Sequence, residues 1–214
     1  MCLQTLTKAQ AVFSSADENM KIVIDAGHGG VDGGVQGIKT GVKESDLNLS
    51  IAKKLQDAFL DLGFEVVLTR PTKDGLYGVA SKGFKKRDMQ KRKEIVEGAK
   101  PALLLSVHQN FYPSRTPRGA QVFYNAESEQ GKALAISLQE KLNALYLSQK
   151  VRARNAHSAD YFMLNCTSAP SVIVECGFLS NEKDEKLLVD EGWQKRLAES
   201  IVAGALAYFS QSTC

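Results

Sequence analysis

Apolar runs of strand length alternate along the chain with stretches whose apolar residues recur every three to four positions. The runs Lys21–Asp25, Phe64–Thr69, Ala102–His108, Ala120–Tyr124 and Ser171–Cys176 predict five strands. Between the first two, the spacing predicts a helix from about Ser45 to Leu62, with Leu47, Ile51, Leu55, Ala58, Phe59 and Leu62 on one face and Gly63 as its stop. Further helices are predicted over about Phe84–Ala99, Ser128–Leu147 and Gly192–Phe209, with a shorter helical stretch between Phe178 and Val189. Strands this rich in Val, Ile and Leu suit burial on both faces. The pattern therefore predicts one α/β domain, a mostly parallel central sheet of about five or six strands with helices on both faces.

Composition adds boundaries to that picture. With 214 residues, 43% hydrophobic and 24% charged, the chain is long enough for one full-sized core. A net charge of +3 is too small to signal a nucleic-acid partner. Cys2, Cys166, Cys176 and Cys214 form no CxxC pair and suggest no disulfide framework. Residues 1–20 are set apart: Ala9-Gln10-Ala11 has the small-x-small look of a cleavage site, but a basic start and a long apolar stretch are missing. They read as an N-terminal arm or the remnant of a signal or anchor segment, with the folded domain at 21–210. Elsewhere no run reaches the roughly 18 apolar residues of a membrane span. The basic cluster Lys82, Lys85, Lys86, Arg87, Lys91, Arg92 and Lys93 reads as a solvated helix face with Met89, Ile95 and Val96 turned inward.

Candidate chemistry gathers at strand ends. Asp25-Ala26-Gly27-His28-Gly29-Gly30 follows the first strand directly, and His108 closes another inner strand. Open α/β sheets bind ligands beyond the carboxyl ends of their strands, so two of the three histidines point to one site. A catalytic zinc commonly takes two His and a carboxylate, leaving a position for water. Asp25, Asp32, Glu44 and Asp46 are the candidate carboxylates. Glu44 is best placed, because the glycine-rich loop from Gly27 to Gly41 can fold back and bring the start of the first helix to His28. Asp25 suits a supporting role, accepting a hydrogen bond from a ligand imidazole or from N–H groups of the turn. Glu175 ends the buried run Ser171-Val172-Ile173-Val174, where a carboxylate beside a metal can act as general base. Its neighbour Cys176 raises an alternative, a cysteine hydrolase, although strand alternation turns it towards the core. His157, in a polar loop, reads as a surface or groove residue.

Four segments, DAGHGG (Asp25–Gly30), KESDLNL (Lys43–Leu49), SVHQN (Ser106–Asn110) and VECGFLSN (Val174–Asn181), resemble in order the motifs of the type 3 family of zinc-dependent N-acetylmuramoyl-L-alanine amidases. The resemblance covers about residues 21–209. It implies one Zn2+ held by His28, Glu44 and His108, Glu175 as the catalytic carboxylate, and Asn110 near the metal. Gln109 and Phe111 stand where family members often carry small residues, a departure expected to alter how substrate is held. The implied substrate is peptidoglycan, at the amide joining N-acetylmuramic acid to the L-alanine of its stem peptide. Arg70 and Arg115 then become candidates to meet stem-peptide carboxylates. The interval between His108 and Glu175 leaves no room for the long inserted helix that blocks the site in some relatives. A compact, unplugged chain most resembles the spore-cortex amidases of endospore-forming bacteria. That resemblance implies muramic-δ-lactam synthesis, roles in cortex formation and germination, and an extracytoplasmic location in the cell envelope or the forespore intermembrane space. It also makes an activating or targeting protein partner reasonable. The rival to an enzyme of either kind is a non-catalytic peptidoglycan-binding module.

Overall fold

The computed structural model describes residues 20–212. Its strands are β1 (Lys21–Ala26), β2 (Glu65–Leu68), β3 (Leu103–Asn110), β4 (Gln121–Tyr124), β5 (His157–Ser158) and β6 (Ser171–Phe178). They form one six-stranded sheet in the order β2-β1-β3-β6-β4-β5. The four strands from β2 to β6 run parallel, β4 is antiparallel to β6, and β5 is parallel to β4. The helices are α1 (Glu44–Leu60), α2 (Phe84–Ala99), α3 (Glu129–Leu147), α4 (Glu182–Leu188) and α5 (Glu191–Ser212), with a 3-10 turn at Phe162–Asn165. The α/β architecture is the one the alternating pattern predicts. The N-terminal arm, apart from Met20, lies outside the described residues, as do Cys2 and Cys214.

Successive side chains of a strand point to opposite faces, and here the two faces are unequal. Ile22, Ile24, Leu103, Leu105, Val107, Val172, Val174 and Cys176 belong to the main core, against which α1, α3 and α5 pack. The alternate residues Val23 and Leu104 join only a small cluster with Val96, Met163 and Cys166, under α2 and the 3-10 turn. The same alternation carries Asp25, Ser106, His108 and Glu175 onto this thinner side, at the carboxyl ends of β1, β3 and β6. Polar side chains thus meet where the helical cover is least.

One expectation for α2 needs correcting. Val96 is buried as expected and most of the basic cluster is exposed, but Arg92 is only 1% exposed. It points into the sheet, and its charge is met by Asp88 on the preceding turn and by Asp25 on β1. A buried guanidinium survives only with such partners.

Candidate metal centre and active site

Backbone geometry at the end of β1 delivers His28. His28, Gly29 and Gly30 have φ values of 62°, 139° and 61°. A left-handed conformation costs a non-glycine residue about 1 kcal/mol or more, so the turn must be held by its surroundings. Gly27 has no room for a side chain: a Cβ there would lie 2.2 Å from Cε1 of His108. The following loop folds back on itself, with Glu44 N–H donating to Val35 O (2.9 Å) and Ser45 N–H to Gly33 O (3.1 Å). At Gly34 a Cβ would sit 2.4 Å from Glu44 Oε2 and 2.8 Å from His28 Cδ2. Glycine at these two positions lets three segments close on one point.

There, His28 Nε2 lies 3.3 Å from Glu44 Oε2, and His108 Nδ1 lies 3.0 Å from Glu44 Oε1. One candidate ligand atom from each of the three residues falls within 4.8 Å of the others. Burial alone would raise the Glu44 carboxyl, but His108 and His28 outweigh it and hold it well below the usual carboxylate range. Burial would likewise lower His28, but Glu44 and Asp32 reverse that and raise it to about 9. His108 is also raised against its burial, by Glu44 and Glu175. The cluster draws positive charge to its centre. Two imidazoles and one ionised carboxylate form a donor set suited to zinc.

The supporting groups differ in part from expectation. Asp32 Oδ2 lies 3.1 Å from His28 Nδ1 and leaves Nε2 to face Glu44, which fixes the ring. Asp46 instead faces Lys73 at 3.7 Å. Glu44 is seated by Val35 N–H (2.9 Å), Gln109 N–H (3.1 Å) and Asn48 Nδ2 (3.4 Å). Gln109 is buried and donates through Nε2 to Asn48 Oδ1 at 3.1 Å, so its side chain lies behind Glu44 and not on substrate. Asn48, four residues after Glu44 on one helix face, is a support that helical spacing could have revealed.

Arg70 does not face substrate. It is 1% exposed, and its nitrogens donate to the carbonyls of Ala26, Gly27, Ser45 and Thr72. Asp25 likewise takes its hydrogen bonds from neither an imidazole nor the N–H groups of the turn. It accepts from Thr69 Oγ1 (2.6 Å), Arg92 Nη1 (2.6 Å) and Ser106 Oγ (2.7 Å). Burial would raise this carboxyl, but Arg92 and the two hydroxyls hold it at about 2 against an ordinary 3.8. A carboxyl depressed on folding stabilises the chain above its unfolded value, and that contribution disappears as pH falls through the folded value. It amounts to something on the order of 2 kcal/mol. Asp25→Asn is expected to lower unfolding free energy by at least that amount at neutral pH. In denaturant titrations the gap to wild type should narrow between about pH 4 and about pH 2; a constant gap would refute the linkage.

Glu175 stands beside His108 in the β3–β6 register, and its Oε2 is buried with no hydrogen-bond partner. Burial, with Glu44 adding to it, raises the carboxyl to about 7 in spite of the two histidines. His28, His108 and Glu175 open on a cavity of about 400 Å³, whose lining also includes the aromatic side chains of Tyr77, Phe84, Tyr161 and Phe162. Asn110 sits past the irregularity in the β3–β6 pairing and accepts Phe111 N–H on Oδ1 at 2.8 Å. His157 is exposed on the edge strand β5, and Arg115 is exposed. Cys176 is fully buried in the main core, on the side away from the cavity, and burial pushes its thiol far up. That placement overturns the cysteine-hydrolase alternative.

The family model described as N-acetylmuramoyl-L-alanine amidase matches residues 22–207. The chain belongs to that family. This amidase is 33% identical over 193 residues to the germination-specific N-acetylmuramoyl-L-alanine amidase of Bacillus subtilis, a match covering 89% of this chain and 80% of that one. Its fold is similar to the CwlD amidase of Clostridioides difficile, solved in complex with the GerS lipoprotein. The TM-score is 0.85 at 34% identity, covering 90% of the amidase and 100% of that chain. A second solved structure, an N-acetylmuramoyl-L-alanine amidase from Clostridium difficile 630, has a TM-score of 0.78 at 28% identity and covers 91% and 98% of the two chains. The amidase is thus an amide hydrolase, not a bare wall-binding module.

Proposed function

We propose that His28, Glu44 and His108 hold one Zn2+ and that Glu175 moves the proton during hydrolysis of the N-acetylmuramoyl-L-alanine amide. The observation that carries this is the three-residue cluster, whose two histidines line the same cavity as Glu175 with its unpartnered carboxylate oxygen. Zinc, when bound, lowers the pKa of a water towards about 7 and polarises a carbonyl. Glu175 Oε2 takes a proton from the attacking water and passes it to the alanine nitrogen as the amide breaks. A carboxyl raised towards neutrality suits both halves of that transfer. Asp32 keeps His28 in one ring orientation throughout.

The biological setting we assign is peptidoglycan of the spore cortex, through muramic-δ-lactam formation and germination, outside the cytoplasmic membrane. Similarity to the germination-specific amidase and to CwlD supports it. The CwlD structure contains a lipoprotein, which supports an activating or targeting protein partner here as well. Among the described residues, no helix is long and apolar enough to cross a membrane.

The test is release of L-alanine amino termini from muropeptides by the purified chain, with and without its partner protein. Chelation should stop release and zinc should restore it, while Cys176→Ala should keep turnover and chelator sensitivity. Release that ignores chelator would sink the zinc assignment. Unchanged muramic-δ-lactam in spores of a strain lacking the protein would sink the cortex role.

A further inference from the structure

We propose that Arg92 and Arg70 are positioning residues of the metal centre, two buried guanidinium groups that lock the Ala26–His28 backbone in the conformation that presents His28. The inference rests on the zinc reading above. Three consecutive carbonyls of the turn are held by these two side chains. Ala26 O accepts from Arg92 Nη1 (2.8 Å) and from Arg70 Nε (3.0 Å). Gly27 O accepts from Arg70 Nη2 (3.2 Å), and His28 O accepts from Arg92 Nη2 (2.6 Å).

Each arginine is fastened elsewhere as well. Arg92 reaches from α2, with Nε on Asp88 Oδ2 and Nη1 on Asp25 Oδ1, both at 2.6 Å. Arg70 follows β2 and also donates to Ser45 O at 2.9 Å, beside Glu44. Asp25 in turn holds Ser106, two residues before His108. One buried network therefore touches all three segments that carry the His–Glu–His cluster.

The need for a clamp follows from His28 itself, which sits at φ 62° without being glycine. Relaxation to a negative φ would swing the peptide between His28 and Gly29 and carry the imidazole away from Glu44. Fixing the His28 carbonyl opposes that swing. Stability alone does not explain the arrangement, since apolar side chains of similar volume commonly stabilise a core as well as buried ion pairs do. The rigid fork explains it better: Arg92 uses three nitrogens aimed at separate acceptors, which the single ammonium of lysine cannot match.

The experiment compares wild type with Arg92→Lys and Arg70→Lys as full chains, below their unfolding temperatures. It measures zinc affinity against a competing chelator and the visible absorption bands of the cobalt-loaded protein. Zinc affinity is expected to fall about 10- to 100-fold, the range for losing an outer partner of a metal site, and the cobalt bands to change shape. Wild-type affinity and bands, with only a lower unfolding midpoint, would reduce both arginines to fold-stabilising residues and overturn the proposal. Should Arg92→Lys not fold, Asp88→Asn removes only the Nε anchor, and an unchanged zinc affinity there overturns the proposal equally. Wild type that binds no zinc would sink the zinc reading and this inference together; wild type that binds it, with unaltered variants, would sink the inference alone.

Discussion

Glu175→Gln is expected to keep one zinc per chain while amide hydrolysis falls by roughly a thousandfold, within the range for loss of a general acid–base group. The side chains are nearly the same size, and Glu175 is not in the His28–Glu44–His108 cluster. The wild-type carboxyl is raised to about 7 by burial, so the neutral amide resembles a form the fold already accommodates. Stability should therefore hold or rise slightly, because a buried charge is removed. What glutamine lacks is a group that takes and returns a proton. Metal analysis and amino-group release on the same sample check both halves. Retained turnover would assign the proton to another group. Lost metal would show that Glu175 supports the cluster and not the proton transfer.

The pattern of the chain makes the strand ends legible for a simple reason. Runs such as Ile22-Val23-Ile24 and Val172-Ile173-Val174 have no stable place except a sheet covered on both sides, and His28, His108 and Glu175 follow such runs. The Gly27–Gly41 loop is legible as a fold-back because glycines recur through it, and Gly29, Gly30, Gly34 and Gly41 do take positive φ in the structure. What stays hidden is set by partners distant in sequence. Arg92 lies among basic residues and looks solvated; its burial depends on Asp25, 67 residues away, although Asp88 at i−4 was a visible helical pair. Arg70 looks like a free cation at a strand end, yet its acceptors are carbonyls of β1, its turn and the start of α1. The two-residue β5 has exposed side chains and so no hydrophobic pattern to betray it. By sequence Asp32 is one of four candidate carboxylates, with nothing to mark it as the partner of His28. Only the turn places it behind His28 and not in front.

Glu44→Gln is expected to weaken zinc binding by more than about 100-fold, beyond the range for losing an outer partner, and to abolish turnover unless zinc is supplied in large excess. Both Glu44 oxygens are surrounded by donors. Oε1 meets Gln109 N–H (3.1 Å), Asn48 Nδ2 (3.4 Å) and His108 Nδ1 (3.0 Å). Oε2 meets Val35 N–H (2.9 Å) and His28 Nε2 (3.3 Å). A glutamine amide must turn its NH2 towards one of these sets, and either choice faces a buried backbone N–H with another donor. An unsatisfied buried donor costs about 1–3 kcal/mol, which a denaturant titration of the metal-free chain should detect. The variant also removes the negative charge that holds the two imidazoles together. This signature differs from that of Glu175→Gln, which loses turnover with metal in place. Wild-type zinc affinity in Glu44→Gln would mean that Glu44 only positions the histidines, and would leave the metal two protein ligands, one fewer than catalytic zinc sites ordinarily use.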